Sequence, residues 1–222
     1  MKQYPFAPDG WPHIVIGLIL SVVLYIILPW LAIVGIVLTC FFCFFFRNPA
    51  RGGPASSDDL FSPADGKIMA ISRLDLVDDL EGPAVCVTIF LSLLNVHINR
   101  APMSGEVFCR RYRPGKYLPA FKSHASALNE RNTIGIAYGS RKILVNQITG
   151  FIARRIVCDV NPGDTVNQRQ RIGMIRFGSC TELICPADVI VTAKVGDSVR
   201  AGRTVLARFA GTDQRPEVRH DS

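Results

Sequence analysis

Gly163-Asp164-Thr165-Val166 recurs 33 residues later as Gly196-Asp197-Ser198-Val199. Each copy runs through a polar turn into a strand-like segment ending in Arg-Phe, at Arg176-Phe177 and at Arg208-Phe209. Two units are too few for a solenoid, so the repeat predicts a compact, pseudo-symmetric β-sandwich or barrel. The surrounding sequence has the same grain. Short runs rich in β-branched residues occur at Lys67–Ser72, Ala84–Phe90, Gly105–Tyr112, Thr133–Tyr138 and Lys142–Ile148. Others follow at Arg154–Val157, Arg171–Phe177, Thr181–Ile184 and Val189–Lys194, and glycine, proline or polar turns separate them all. That is the pattern of a mainly β domain. Ala120–Asn129 is a weak helix candidate.

The Gly-Asp-x-Val turn leading into a strand resembles the hammerhead strands of lipoyl- and biotinyl-like barrel-sandwich hybrid domains. An adaptor of that kind would carry a lysine at the hairpin tip, whereas Asn167-Gln168-Arg169-Gln170 has none. Nor is there a heptad run of the sort membrane-fusion proteins use. An uncleaved, membrane-anchored structural β domain stays open as an alternative.

Ahead of the β domain lies an apolar segment. Trp11–Phe46 contains no Asp, Glu, Lys or Arg, and Pro29-Trp30 divides it into two halves of 16 residues, His13–Leu28 and Leu31–Phe46. A spanning helix needs about 20 apolar residues, so two readings stand: a pair of short crossings, or a re-entrant hairpin in one leaflet. Both place a hydrophobic helical hairpin in 1–46, a linker in 47–59, the β domain in 60–212 and a polar, disordered tail in 213–222. The segment is too long for a signal peptide.

The formal net charge of +7 falls wholly in 47–222, because Lys2 and Asp9 cancel. Positive residues beside an apolar segment favour the cytoplasmic side, and a basic domain held there is drawn to anionic lipid headgroups. With no basic run or recognition motif, nucleic acid is not expected as a partner. The seven cysteines read as reduced thiols of a cytoplasmic domain, Cys40 and Cys43 as apolar filler. Cys180 and Cys185 have no histidines at zinc-ligand spacing, so no metal is assigned.

Three stretches carry candidate chemistry. In Ile175-Arg176-Phe177-Gly178-Ser179-Cys180 a serine follows a flexible glycine, which would let its hydroxyl attack the Gly178 carbonyl. Ser62-Pro63-Ala64-Asp65-Gly66 opens a strand with an Asp-Gly turn, usually a structural device. His97 lies in an apolar strand, yet Asn95, Asn99 and Arg100 surround it. Polar groups at that density must be paired if buried.

Taken in order, Ser-Pro-Ala-Asp-Gly, Asn-Val-His-Ile-Asn-Arg-Ala-Pro, Asn129-Glu130-Arg131-Asn132 and Phe-Gly-Ser resemble the short, membrane-associated form of the phosphatidylserine decarboxylases. The resemblance covers nearly all of residues 11–211. It implies a proenzyme that cuts itself between Gly178 and Ser179 into a β chain, 1–178, and an α chain, 179–222, which stay together as a heterodimer. Ser179 would become a pyruvoyl group, the covalent cofactor, and form a Schiff base with phosphatidylserine. Loss of CO₂ and imine hydrolysis would give phosphatidylethanolamine in phospholipid biosynthesis, at the cytoplasmic face of the cell membrane. A related phosphoserine lipid is the alternative substrate, and a homo-oligomer is compatible with the sequence.

The same resemblance casts Ser179, His97 and Asp65 as catalytic residues, with Asp65 orienting a histidine that contacts Ser179. His97, near its reference pKa of ~6.5, would protonate the carbon left by CO₂ loss. Larger relatives carry a second histidine where this chain has Arg100, so His97 would serve both steps, or His124 or an arginine-bound water would substitute. Arg100 becomes a candidate for the substrate phosphate, a role suited to a guanidinium.

Overall fold

Both copies of the repeat turn on a glycine in the left-handed region, Gly163 at φ 91° and Gly196 at φ 96°. A side chain there would be strained. The following aspartates accept equivalent bonds: Asn161 N donates to Asp164 Oδ2 and Lys194 N to Asp197 Oδ2, each at 2.8 Å. The repeat is therefore structural, and the computed structural model shows what it does. That model describes residues 4–54, 56–118, 128–151, 155–176 and 179–210.

The strands are β1 (Asp59–Phe61), β2 (Gly66–Val77), β3 (Gly82–Leu91), β4 (Ile98–Arg100), β5 (Gly105–Arg113), β6 (Arg131–Tyr138) and β7 (Arg141–Thr149). Then come β8 (Arg155–Cys158), β9 (Thr165–Val166), β10 (Arg171–Arg176), β11 (Ser179–Pro186), β12 (Ile190–Val191), β13 (Ser198–Val199) and β14 (Val205–Arg208). A curled eight-stranded sheet has the order β13-β2-β3-β11-β7-β6-β5-β9. The two repeat strands, β9 and β13, close its opposite edges, with Val166 opposite Gly105 and Val199 opposite Gly66. Two three-stranded sheets, β1-β14-β12 and β4-β10-β8, complete the half-barrel.

This order makes the pseudo-symmetry explicit. Strands β4 to β10 form one unit, inserted between β3 and β11 of the other, and the two units meet where β11 pairs with β7. Buried aliphatic side chains of both units, among them Ile68, Val87, Ile89, Val107, Ile134, Ile136, Val145 and Leu183, share one core. The fold is mainly β, as the repeat predicts. Most expected strands are present with extended ends, but Val189–Lys194 shrinks to the two-residue β12. Ala120–Asn129 falls largely, and the tail entirely, outside the described residues.

Two helices precede the sheets. A 3-10 turn at Pro8–Gly10 leads into α1 (Trp11–Ile27), and a second at Pro29–Leu31 leads into α2 (Ala32–Phe45). Leu28 is extended, at φ −159°, because a residue before proline is pushed out of the helical region. The helices pack through small residues set opposite each other. A β-carbon on Gly17 would lie 2.6 Å from the Thr39 hydroxyl, and one on Gly35 would lie 2.6 Å from the Ser21 backbone. Both hydroxyls are satisfied within their own helices, on Gly17 O and Gly35 O. Gly35→Leu should force the helices apart, an overpacking that costs about 1–3 kcal/mol. The expected result is a lower melting temperature of the full chain in detergent. An unchanged melt would show that the helices are not held by this contact.

The outer faces of both helices are apolar and exposed, including Ile16, Ile19, Ile26, Ile33 and Val37. The base of the hairpin is not a free tether. Phe45 and Phe46 are fully buried and pack with Ala7, Val96, Ile98 and Met174, and Ala7 N donates to Phe46 O.

Candidate active site

Strands β10 and β11 lie in different sheets, and residues 177–178 are all that join them. The chain therefore crosses between sheets immediately before Ser179. Gly178 and Phe177 lie outside the described residues; Ser179 does not. It is the first residue of β11, opposite Leu91 of β3 on one side and Thr149 of β7 on the other. Its side chain is fully buried, and Oγ has no hydrogen-bond partner among the described residues. An unmade hydrogen bond on a buried hydroxyl costs about 1–3 kcal/mol, and such groups are uncommon enough to need an explanation.

The sheet around Ser179 is polar where a plain core would be apolar. Alternation along the strand puts Thr181 on the same face. Asn99 Nδ2 donates to Thr181 Oγ1 at 3.0 Å, Gln147 Nε2 to Asn99 Oδ1 at 3.0 Å, and Asn132 Nδ2 to Gln147 Oε1 at 2.8 Å. On the opposite face, Asn146 Nδ2 donates to the buried Glu182 carboxylate at 2.8 Å. Asn99 and Asn132 stand in motifs the sequence singles out. Gln147, Thr181 and Glu182 do not, because a single polar residue inside a β-branched run leaves no pattern.

His97 immediately precedes β4, with its backbone beside β10: Ile175 N donates to His97 O. It therefore lies along the strand that runs into the bond before Ser179. The ring packs on Phe45 at 4.4 Å between centroids. Its Nδ1 is 2.9 Å from Asn95 O. A carbonyl only accepts, so Nδ1 carries the proton of the neutral ring and Nε2 holds the lone pair. Burial, above all, pushes the pKa down to about 4. The expectation of a histidine near its reference value is thus corrected: desolvation keeps the ring neutral at cytoplasmic pH.

Asp65 is buried, and among the described residues its carboxylate engages Arg51 and the backbone, with His124 outside them. Arg51 Nη2 donates to both oxygens, at 2.9 and 2.7 Å, and Ala201 N donates to Oδ1 at 2.7 Å. Asp65 also lines a cavity of ≈ 490 Å³ with Lys67, Ser92, Asn95, Ser198 and Arg200. Arg100 is buried too. Its Nη atoms donate to Arg169 O, to Asn48 Oδ1 at 2.6 Å and to Pro49 O, bracing the segment after α2. Burial lowers its pKa to about 10, which leaves it cationic. His124 lies outside the described residues. The thiol of Cys180, next to Ser179, is pushed well up by burial and stays protonated.

The comparisons with known proteins agree with one another. A family model described as phosphatidylserine decarboxylase matches residues 38–207. The chain belongs to the phosphatidylserine decarboxylase family. The matched span includes Asp65, His97, Arg100 and Ser179, and membership makes the chain a lyase of phospholipid metabolism. Curated relatives named phosphatidylserine decarboxylase proenzyme align over almost their whole length. One from Carboxydothermus hydrogenoformans is 47% identical over 204 residues, 91% of this chain and 96% of its own. One from Desulfotalea psychrophila is 41% identical over 209 residues, covering 93% and 98%. One from Symbiobacterium thermophilum is 41% identical over 211 residues, covering 94% and 98%.

Proposed function

We propose that the chain is a self-processing proenzyme that converts phosphatidylserine to phosphatidylethanolamine at a pyruvoyl group made from its own Ser179. The observation that carries this is the Ser179 hydroxyl, buried and unpartnered at the crossing between two sheets. A hydroxyl with no hydrogen-bond partner among the described residues is available to attack.

Oγ adds to the Gly178 carbonyl and the Gly178–Ser179 C–N bond breaks, giving an ester. Removal of the Ser179 α-proton then expels Oγ as part of the Gly178 carboxylate. The dehydroalanine left on the α chain takes up water and loses ammonia. Serine needs a base for the first step, and His97 is suited to it, with Nδ1–H held by Asn95 O and the Nε2 lone pair accepting the proton. Asp65 acts as a positioning residue, fixing Arg51 and the Ala201 amide. The pyruvoyl group supplies a ketone that draws off the electrons left by CO₂. In turnover His97 Nε2 passes a solvent proton to the substrate carbon, charged only in transit because burial keeps the resting ring neutral. The apolar outer faces of α1 and α2 hold the domain on the cytoplasmic side of the membrane, within reach of lipid.

The test is the intact mass of the purified chain, with expected products of 178 and 44 residues and a smaller chain blocked at its N-terminus. The two should co-elute until denatured, because β11 pairs with β3 and β7, β13 with β2, and β14 with β1. The α chain is thus a central strand and an edge of the sheet. A single uncleaved species after prolonged incubation would overturn the reading.

A further inference from the structure

A second cavity, of ≈ 800 Å³, opens at the base of the helical hairpin. Asp9, just before α1, and Asn48, just after α2, both line it. Four arginines, Arg51, Arg100, Arg169 and Arg171, face two aspartates, Asp9 and Asp159, around its wall. Ser179, His97 and Asp65 are not among the lining residues.

The arginines bring more positive charge to the wall than the carboxylates paired with them offset. Arg171 Nε donates to Asp159 and Nη2 to Asp9, while Arg169 donates to Gly53 O and Pro54 O. Arg100 and Arg169 donate only to carbonyl and amide oxygens and have no carboxylate partner among the described residues. A phosphate oxygen is the acceptor that suits the geometry and charge of a guanidinium. Arg51 is paired with Asp65 and Arg171 with Asp9 and Asp159, so the charges of Arg100 and Arg169 are the ones left to match an anion. The volume, within the usual range for ligand sites, exceeds what a bare phosphate needs and leaves room for a headgroup.

We propose that this cavity is a phosphodiester site for the headgroup of an anionic lipid, separate from the reactive centre at Ser179. Its place between the two ends of the hairpin puts it at headgroup depth once the helices are in the bilayer. A lipid held there would lock the hairpin base against the β domain, through Asp9 and Asn48 on one side and Arg169 and Arg171 on the other. This rests on the membrane attachment proposed above but not on the decarboxylation.

The test uses the full chain in neutral detergent, with native mass spectrometry and thermal melts on adding phosphatidylglycerol, phosphatidylcholine or inorganic phosphate. Phosphatidylglycerol has no amine and cannot react at Ser179, so its binding is read independently of activity, and Ser179→Ala should bind it as wild type does. One phosphatidylglycerol should be retained and should raise the melting temperature, with phosphatidylcholine retained at least tenfold less. Arg169→Gln should weaken retention at least tenfold. Asn167→Asp should do the same without altering the lipid-free melt, because that side chain lines the cavity, is exposed and makes no hydrogen bond among the described residues. Equal retention of both lipids, or wild-type retention by Asn167→Asp, would overturn the proposal. Stabilisation by inorganic phosphate with indifference to phosphatidylglycerol would overturn the lipid assignment.

Discussion

Ser179→Ala is expected to leave the purified chain as one 24.5 kDa species with no decarboxylase activity, under conditions where the wild type is fully divided. The effect should be all-or-none, because no other hydroxyl stands at the start of β11. The chain carries its own control. Tyr138-Gly139-Ser140 resembles Phe177-Gly178-Ser179 and precedes β7, the strand that pairs with β11 across the join of the two units. Ser140, however, lies on an exposed β6–β7 turn, where water satisfies its hydroxyl. Cleavage should therefore occur before Ser179 and never before Ser140. A Ser179→Ala chain that still yields two fragments, or wild-type cleavage at residue 139, would defeat the assignment.

The contrast between the two Gly-Ser pairs shows what sequence can and cannot carry. The dipeptide was legible; the burial of Ser179 was not, because it depends on β11 running between β3 and β7, strands distant in sequence. The fold was legible to a greater depth. The two Gly-Asp-x-Val copies share a positive-φ glycine and an aspartate that caps its own turn, and local chemistry of that kind survives in a short string of letters. What stayed hidden was that the copies close the two edges of one sheet. The helical hairpin was legible from its hydropathy and from Pro29, but its docking through Phe45 and Phe46 was not, since phenylalanines at the end of an apolar run look the same whether they face lipid or protein. For the same reason the Arg51–Asp65 pair escaped notice. Nothing in a lone arginine past an apolar segment says which carboxylate it will find.

His97→Ala should slow self-cleavage by at least about a hundredfold, within the 10²–10⁴ range of general base catalysis. The reasoning runs through Nε2. With Nδ1–H committed to Asn95 O, Nε2 is the ring atom left with a lone pair, and burial holds the pKa at about 4. The base is therefore in its active, neutral form across the cytoplasmic range. The wild-type cleavage rate should be flat from pH 8 down to about 5 and fall about tenfold per unit below about 4, where Nε2 is protonated. Stability has the same sign. An unfolded chain, with its histidine near ~6.5, binds the proton more readily than the folded one, so the His97 contribution is present above the unfolded value and is lost as pH falls from there towards 4. His97→Gln, which keeps a hydrogen-bonding side chain beside Asn95 O but lacks a basic nitrogen, should cleave as slowly as the alanine variant while melting closer to wild type. That split separates a chemical role from a packing one, because a ring needed only to fill space against Phe45 would be spared by glutamine. Wild-type cleavage in His97→Ala, or a rate that halves near pH 6.5, would remove His97 from the first step and send the search for the base to a water or to His124.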